Sequence, residues 1–181
     1  MESNTKEKSG ESIFFPSFSV LSVYALDFHR LYEKGYRALF FDIDNTLVYH
    51  DEPALFETVK LFALLRAIGF QTAILSNNGE SRVRKFAEAV RADYYIAKAG
   101  KPGPGAYLRA VQHFSLKKEE CLFFGDQIFT DIVGGNRAGV PTVLVRPMGK
   151  EKYFHIVLKR ILEKPFLLCY SIWHKLWEEL P

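Results

Sequence analysis

Short apolar runs alternate with longer segments of helical periodicity over most of this chain. Five runs of four or five residues predict strands, and in each of them at most the first residue is polar or charged: residues 38–41, 72–75, 93–97, 121–124 and 142–145. Between the runs, apolar residues at helical spacing predict helices over residues 53–68, 81–90 and 106–114. Runs without a polar side are typical of parallel strands that are covered on both faces. The alternation therefore predicts an α/β fold with a mostly parallel sheet flanked by helices.

The pattern divides the chain into four parts. Residues 1–12 are polar and charged, which predicts a disordered tail. Residues 13–34 form an amphipathic extension, residues 35–148 the α/β core, and residues 149–181 a C-terminal amphipathic helical segment. We expect the extension to be a helix packed on the core or a segment lying on a membrane surface, although Pro16 interrupts it. It lacks the cleavage site of a secretory signal, and the acidic, arginine-free tail disfavours a transit peptide, so the organelle stays open.

The C-terminal segment is rich in both apolar and basic side chains. We expect one or two helices with a break near Pro165, because proline has no backbone N–H to donate within a helix. Two interpretations stay open. The helices pack on the core or on a second subunit of a homo-oligomer, or they form an interfacial anchor on an anionic membrane surface. Charges and Pro165 interrupt the segment well short of the ~20 apolar residues that cross a bilayer.

Composition narrows the class of partner. The net charge of +3 and the pI near 8.8 favour anionic partners only mildly, and the sequence has no nucleic-acid recognition motif. Two cysteines, Cys121 and Cys169, give neither a disulfide framework nor metal-ligand spacing. Cys121 opens an apolar run and fits a buried thiol, which favours an intracellular, reducing compartment.

Polar side chains follow the predicted strands at the points where they end. Because the carboxyl ends of parallel strands meet at one edge of a sheet, where open α/β folds bind ligands, we expect these side chains to share a crevice. The third of these loops is rich in glycine and proline; Lys101 is its candidate for binding a ligand, and Lys98 is the second choice. Each motif alone also fits an ordinary turn or helix cap. The candidate site residues are Asp42, Asp44, Thr46, Ser76, Asn77, Lys101, Asp126 and Asp131.

Carboxylates that converge on one crevice repel one another. At ~4 Å and an effective dielectric constant of ~20, each close pair costs about 4 kcal/mol. A hard divalent cation relieves this repulsion, and Mg²⁺ is suited to oxygen ligands. The hydroxyl of Ser76 and the backbone amides of Asn77 and Asn78 are suited to an anion such as phosphate.

Four motifs in this order resemble the haloacid dehalogenase (HAD) superfamily of phosphohydrolases. They are Asp-Ile-Asp-Asn-Thr at residues 42–46, then Ser76, then Lys101 with Pro102, and finally residues 125–131, which begin with Gly-Asp. The resemblance extends over residues 36–146. It implies a Rossmann-like core with a central, mostly parallel sheet.

The resemblance also implies roles for individual residues. Asp42 would be the nucleophile that forms an aspartyl-phosphate, and Asp44 would protonate the leaving oxygen. Mg²⁺ would be held by Asp42, by the backbone carbonyl of Asp44 and by Asp126. Asp131 would either bind the metal or orient its waters, and this choice stays open. The phosphate-binding residues that the resemblance implies are Thr46, Ser76, Asn77 and Lys101.

Within the superfamily, the motifs are similar to the class IIIA group of YqeG-like proteins and mitochondrial-type phosphatidylglycerophosphatases. This narrower resemblance implies removal of the terminal phosphate of phosphatidylglycerophosphate, a step of phospholipid biosynthesis. The intervals from Asp44 to Ser76 and from Ser76 to Lys101 each hold one predicted helix and one strand. We therefore expect no cap domain and an open site, which suits a large or membrane-embedded substrate. A cap supplied by another subunit is the competing explanation.

Two other functions stay open at this stage. One is a soluble HAD phosphatase that acts on a phosphoprotein or a small phosphometabolite. The other is a non-catalytic phosphate-binding module, which would be expected to lack the nucleophile or the lysine, whereas Asp42 and Lys101 are both present.

Overall fold

Six parallel strands form one sheet in a computed structural model that describes residues 12–149 and 154–173. The strands are β1 (Phe18–Val20), β2 (Ala38–Phe41), β3 (Gln71–Leu75), β4 (Tyr94–Ile96), β5 (Cys121–Gly125) and β6 (Thr142–Val145). Their order across the sheet is β1-β6-β5-β2-β3-β4, and every neighbouring pair is parallel. The sheet confirms the predicted fold class.

Helices cover both faces of the sheet. The described helices are α1 (Phe28–Glu33), α2 (Phe56–Ile68), α3 (Glu80–Val90), α4 (Gly105–His113), α5 (Val133–Ala138) and α6 (Phe154–Trp173). Successive strand residues point to opposite faces, so β2 contributes to two separate cores. Phe41 packs in the cluster that contains Phe62 of α2 and Phe86 of α3. Phe40 packs in the cluster that contains Tyr107 of α4 and Ala138 of α5.

The central strand β2 sets the position of the site. It pairs with β3 on one side and with β5 on the other, so that Phe41 lies opposite both Ile74 and Phe124. The rings of Phe41 and Phe124 stack with centroids 5.0 Å apart, and all four residues of β2 are fully buried. This register brings the carboxyl ends of three adjacent strands to the same edge. The residues that follow them, among them Asp42 and Asp126, start from neighbouring positions.

The connections between the strands are short. A loop and α2 join β2 to β3, and α3 followed by β4 leads to the loop of Lys101. Helix α2 begins at Phe56, three residues after the predicted start at Pro53, and it ends at Ile68. Gly69 caps it with a φ of +110°, which is in the left-handed region that favours glycine. Within residues 12–149 no cap domain interrupts the sheet, as expected.

The N-terminal extension contains a strand where we expected a helix. Residues 18–20 form β1, which lies parallel to β6 with Phe18 opposite Val143 and Val20 opposite Val145. The helix prediction was wrong for this stretch because the open edge of β6 offers backbone partners, whereas Pro16 and the serines disfavour a helix. Helix α1 follows, with the Asp27 side chain accepting a hydrogen bond from its first turn. Residues 1–11 of the predicted tail lie outside the described residues.

Where the structure describes the C-terminal segment, it forms one helix, α6, which continues through Pro165. The predicted break at this proline was wrong, because side chains on both sides of it hold the helix on the core. Glu163 is 2% exposed, and its carboxylate accepts the N–H of Ile128 at 2.7 Å. Tyr170 stacks edge-on against Phe15, with ring centroids 5.7 Å apart. Residues 150–153 and 174–181 lie outside the described residues.

The opposite side of α6 is exposed and apolar. Its exposed side chains, which are 47% to 69% accessible, are Leu158, Ile161, Leu162, Leu168 and Ile172. Packing on the core thus accounts for only part of the apolar surface of this helix. Among the helices that the structure describes, none combines the length and the apolarity needed to cross a membrane.

Both cysteines are free thiols. Cys121 is buried at the start of β5, and burial raises the pKa of its thiol to about 12. This placement agrees with the predicted buried thiol, and Cys169 lies exposed on α6.

Candidate active site

Three carboxylates meet at the carboxyl edge of the sheet. Asp42 directly follows β2, and its backbone N–H donates to the carbonyl of Phe124 at 2.9 Å, which extends the pairing with β5 by one residue. Asp126 directly follows β5, and Asp131 lies five positions later. Carboxylate oxygens of these three residues all lie within 4.8 Å of one another, and all three residues are buried. The structure therefore brings together three of the four aspartates that the sequence selects.

The ammonium group of Lys101 lies inside this cluster. Its Nζ is 2.8 Å from Asp42 Oδ1 and donates to Asp131 Oδ1 at 2.7 Å. Burial lowers the pKa of Lys101, but the charges of Asp131 and Asp42 outweigh burial and hold it above its ordinary value. Lys101 is thus a fixed cation. The reserve candidate, Lys98, is exposed and forms no ion pair with a described residue.

Asn77 positions the lysine loop through its side chain. Asn77 Oδ1 accepts the backbone N–H of Lys101 at 2.9 Å, and Nδ2 donates to the backbone carbonyl of Lys101 at 3.0 Å. These two bonds fix the loop against the end of β3, which explains how an exposed loop can hold a buried ammonium group. The side chain of Asn77 therefore contacts the residue that carries the charge, a role that the sequence did not indicate.

A π-helical turn, Ile128–Ile132, carries Asp131 back toward β5. Asp131 Oδ2 accepts the N–H of Gln127 at 3.0 Å, and its carboxylate packs directly on Gly125. A Cβ at Gly125 would lie 2.5 Å from Asp131 Cβ and Cγ, closer than such atoms approach in real structures. The glycine at the end of β5 is therefore what allows Asp131 to enter the cluster.

The cluster carries an excess of negative charge. Three carboxylates and one ammonium group give the cluster a formal charge of −2 when all four groups are ionised. Burial raises the pKa of Asp42 to about 6; Asp131 and Asp44 add to this shift, and Lys101 opposes it. A buried set of carboxylate oxygens with an excess charge of this size fits a hard divalent cation such as Mg²⁺.

The carboxylate of Asp44 lies in a different environment. It accepts hydrogen bonds from the backbone N–H of Asp51 at 2.9 Å and from the side chains of Asn78 and Arg82. Burial raises the pKa of Asp44, but these three hydrogen bonds and the charge of Arg82 outweigh burial and hold it below its ordinary value. The carboxylate of Asp44 is not one of the three in the cluster, so a metal contact through its backbone carbonyl stays a prediction.

Arg82 was not among the candidate site residues: the sequence favoured a solvated face for the basic residues of α3 and left open that some of them border the mouth of the site. The guanidinium of Arg82 donates to Asp44 and to the backbone carbonyl of Glu52, so it joins α3 to the loop after the first motif. One signal was present in the sequence. Arg82 lies in the first turn of a helix that begins only four residues after Ser76, and such a turn starts at the same edge of the sheet.

Two hydroxyl groups complete the buried polar set. Ser76 is buried, and its Oγ accepts the backbone N–H of Asn78 at 3.3 Å, so that amide is not free to bind an anion as expected. Thr46 is also buried, and its Oγ1 has no hydrogen-bond partner among the described residues. Its turn is possible because Asn45 adopts a φ of +58°, a left-handed conformation that asparagine tolerates better than most residues.

Comparisons with known proteins agree with this geometry. A family model described as haloacid dehalogenase-like hydrolase matches residues 49–139. Over 171 residues the chain is 36% identical to "Probable phosphatase YqeG" of Bacillus subtilis (strain 168), covering 93% of this chain and 99% of that protein. It is 28% identical over 163 residues to "Phosphatidylglycerophosphate phosphatase 1, chloroplastic/mitochondrial" of Arabidopsis thaliana, which covers 84% of this chain.

The chain spans only 47% of the length of that Arabidopsis protein. Among solved structures, an uncharacterized protein from Corynebacterium glutamicum superimposes with a TM-score of 0.51 at 23% sequence identity. The superposition covers 71% of this chain and 93% of that one, and it shows a common fold.

Proposed function

Because this chain belongs to the haloacid dehalogenase-like hydrolase family, we propose that it is a Mg²⁺-dependent phosphomonoester hydrolase that works through an aspartyl-phosphate. One observation carries the proposal. A buried carboxylate at the end of the central strand, Asp42, lies 2.8 Å from the fixed ammonium of Lys101 and within 4.8 Å of the carboxylates of Asp126 and Asp131. This combination joins a nucleophile to charges of both signs that can hold a phosphoryl group and a cation.

The residues of the chain account for both chemical steps. A carboxylate oxygen of Asp42 attacks phosphorus while the bond from phosphorus to the ester oxygen breaks, and Asp44 donates a proton to that oxygen. Water then attacks the aspartyl-phosphate, Asp44 takes a proton from it, and Asp42 is released with inorganic phosphate. The hydrogen bonds to Asp44 and the charge of Arg82 lower the pKa of its carboxyl, so loosening of the contact with Arg82 would favour the protonated form that donates to the leaving oxygen.

Other groups hold the reacting phosphate. Lys101 would neutralise phosphoryl oxygens, and the hydroxyls of Ser76 and Thr46 and the backbone amide of Asn77 would donate hydrogen bonds to them. A Mg²⁺ ion held by Asp42, Asp126 and the carbonyl of Asp44 would supply positive charge that offsets both the carboxylates and the phosphate. We propose that Asp131 acts on this site chiefly through Lys101, whose ammonium group donates a hydrogen bond to its carboxylate.

Acid-quenched enzyme tests this chemistry. With Mg²⁺ and a 32P-labelled phosphomonoester, the wild-type protein is expected to retain covalent label that is stable in acid and released by hydroxylamine, as an acyl phosphate is. Asp42→Asn is expected to retain none, and Asp42→Asn and Asp44→Asn are each expected to lose nearly all turnover. Glu88→Gln, which removes an acid from an exposed site on α3, is the matched control. Mg²⁺-dependent hydrolysis that persists in Asp42→Asn would refute the nucleophile assignment.

For the substrate, we propose phosphatidylglycerophosphate, which would be converted to phosphatidylglycerol. The named activity of the Arabidopsis relative supports this, although the chain spans less than half of that protein. The lack of a cap within residues 12–149 leaves the carboxyl edge of the sheet accessible to a headgroup that stays in a bilayer. The assignment makes the protein an enzyme of phospholipid biosynthesis.

We propose peripheral attachment to an anionic membrane through α6. The side of this helix that faces away from the core exposes an apolar stripe that includes Ile161 and Leu168, and interfacial helices bury such a stripe at headgroup depth. Liposome flotation tests this with Ile161→Ser/Leu168→Ser, because both side chains are exposed and their loss leaves the packed side intact. The double variant is expected to float less than the wild type. Equal recovery of the two proteins would rule against α6 as an anchor.

A further inference from the structure

A cavity of about 790 Å³ lies beside Asp44, and none of the residues of the carboxylate cluster lines it. Two residues that hydrogen-bond to the carboxylate of Asp44, Asp51 and Arg82, also line this cavity. Its volume is within the range of pockets that bind small molecules. In the proposed reaction Asp44 protonates the leaving oxygen, so the leaving group has to extend on the side where Asp44 lies.

Three cations and two carboxylates line the cavity, and one of the cations, Arg82, pairs with Asp44. Each acidic side chain that lines it already has a neighbour: Glu80 accepts the hydroxyl of Tyr95 at 2.8 Å, and Asp51 lies 3.6 Å from the imidazole of His50. Lys85 and Lys98 also line the cavity, and neither forms an ion pair with a described residue. The two ammonium groups are therefore available to an anion that enters.

The three cations are held on two separate elements. Arg82 and Lys85 are three residues apart on α3, which places them on the same side of the helix. Lys98 lies in the loop after β4, where its N–H donates to the carbonyl of Asn78 at 2.9 Å and its φ is +46°. A non-glycine residue in this conformation is uncommon, and here the backbone hydrogen bond holds it in place. An anion in the cavity would thus meet positive charge from both elements.

We propose that this cavity receives the leaving group and that Arg82, Lys85 and Lys98 select phosphomonoesters whose leaving group carries a second, esterified phosphate. This inference rests on the proposed phosphatase activity and deepens it. Pro53, Ala54 and Phe86 add apolar wall, so the carbon backbone that joins the two phosphates has surface to contact. Arg82 would serve both the leaving group and Asp44, whereas the two lysines contact the leaving group alone.

The test compares kcat/KM for three substrates with Mg²⁺ present. Glycerol 3-phosphate has no second phosphate, the deacylated headgroup glycerophosphoglycerol phosphate has one, and phosphatidylglycerophosphate in mixed micelles has one together with acyl chains. The wild type is expected to prefer the headgroup over glycerol 3-phosphate by about tenfold or more, since several partly exposed cations contribute. Lys85→Gln/Lys98→Gln is expected to remove most of this preference while turnover of glycerol 3-phosphate stays the same.

Two further variants test whether the cations select the substrate or only support the position of Asp44. Arg84→Gln removes an exposed cation of α3 that pairs with Glu88 and does not line the cavity, so its preference is expected to match the wild type. Arg82→Gln is expected to lower the preference as well as turnover. If Arg82 only positioned Asp44, both substrates would slow by the same factor and the preference would not change.

The outcomes distinguish this inference from the proposed function. If the wild type hydrolyses none of the three substrates, the phosphatase proposal itself fails. Hydrolysis with equal kcat/KM for glycerol 3-phosphate and the headgroup, or a preference that survives Lys85→Gln/Lys98→Gln, would overturn the inference alone. A preference shown by the intact lipid but not by its headgroup would also overturn it, because the acyl chains would then be what is selected. A preference shared by headgroup and lipid assigns selection to the second phosphate.

Discussion

Asp42→Asn is expected to make the metal-free protein more stable while it abolishes turnover. In the fold, the carboxylate of Asp42 is buried beside those of Asp126 and Asp131, with Lys101 as the cation at 2.8 Å. An asparagine there keeps an oxygen that can accept from Lys101. It also adds an amide that can donate to the remaining carboxylates, so a like-charge contact becomes a hydrogen bond.

The magnitude follows from the pKa of Asp42, which burial raises from 3.8 to about 6 despite the attraction of Lys101. A shift of this size corresponds to about 3 kcal/mol. The folded state binds the proton more tightly than the unfolded state, so this contribution favours folding below the unfolded value of 3.8. It is lost as pH rises through about 6. The unfolding free energy of the variant should therefore rise above that of the wild type between these two pH values, and the difference should stay constant at higher pH.

Thermal unfolding in EDTA between pH 3.5 and 8 measures this difference. At pH 8 the variant is expected to melt about 10 °C above the wild type, given roughly 2–4 °C per kcal/mol for a chain of this length. Mg²⁺ at 100 times its dissociation constant is expected to stabilise the wild type by about 2.7 kcal/mol, and so to raise its melting temperature, while it changes the variant little. Glu88→Gln should behave as the wild type. A metal-free variant that is less stable than the wild type at pH 8 would refute the description of the cluster as a set of buried carboxylates that repel one another.

Three further predictions concern the residues that support the site. Gly125→Ala places a Cβ 2.5 Å from Asp131 and should lower the free energy of unfolding by roughly 1–3 kcal/mol and remove most of the phosphatase activity. Gly105→Ala is the control, because its Cβ meets only the end of a side chain at 3.4 Å, and it should change neither the unfolding free energy nor phosphate release. Glu163→Leu leaves buried N–H groups without an acceptor and should lower the free energy of unfolding in denaturant by about 1–3 kcal/mol. Glu163→Gln keeps an acceptor and should lower it less, and equal losses in the two variants would contradict a role for these hydrogen bonds. Asn77→Ala frees the lysine loop and should lower kcat/KM roughly tenfold without altering the fold seen by circular dichroism, and an unchanged kcat/KM would show that the loop holds its position without this residue.

The sheet and the three-aspartate cluster could be predicted because both depend on local patterns with strong physical causes. Fully apolar runs such as residues 121–124 have few alternatives to a buried parallel strand. Once the strands are parallel, their carboxyl ends share an edge, and the residues that follow them converge without any knowledge of the register. Asp42, Lys101 and Asp126 were selected on this ground, and the structure places them together.

The features that could not be predicted depend on contacts between distant parts of the chain. Residues 18–20 form a strand because β6 has an open edge, and nothing within the extension itself reports that edge. Helix α6 continues through Pro165 because contacts on either side, including Glu163, hold it on the core. The pairing of Arg82 with Asp44 spans 38 positions along the chain, and only the register of α3 over the first loop reveals it.

The decisive assay measures phosphate release from phosphatidylglycerophosphate in mixed micelles and from a panel of soluble phosphomonoesters, with Asp42→Asn as the blank. We expect Mg²⁺-dependent release that is strongest with the lipid and absent in the variant. Release from soluble substrates alone would keep the family chemistry and contradict the lipid assignment. Release that needs no divalent cation, or that continues in Asp42→Asn, would contradict the account of the site itself.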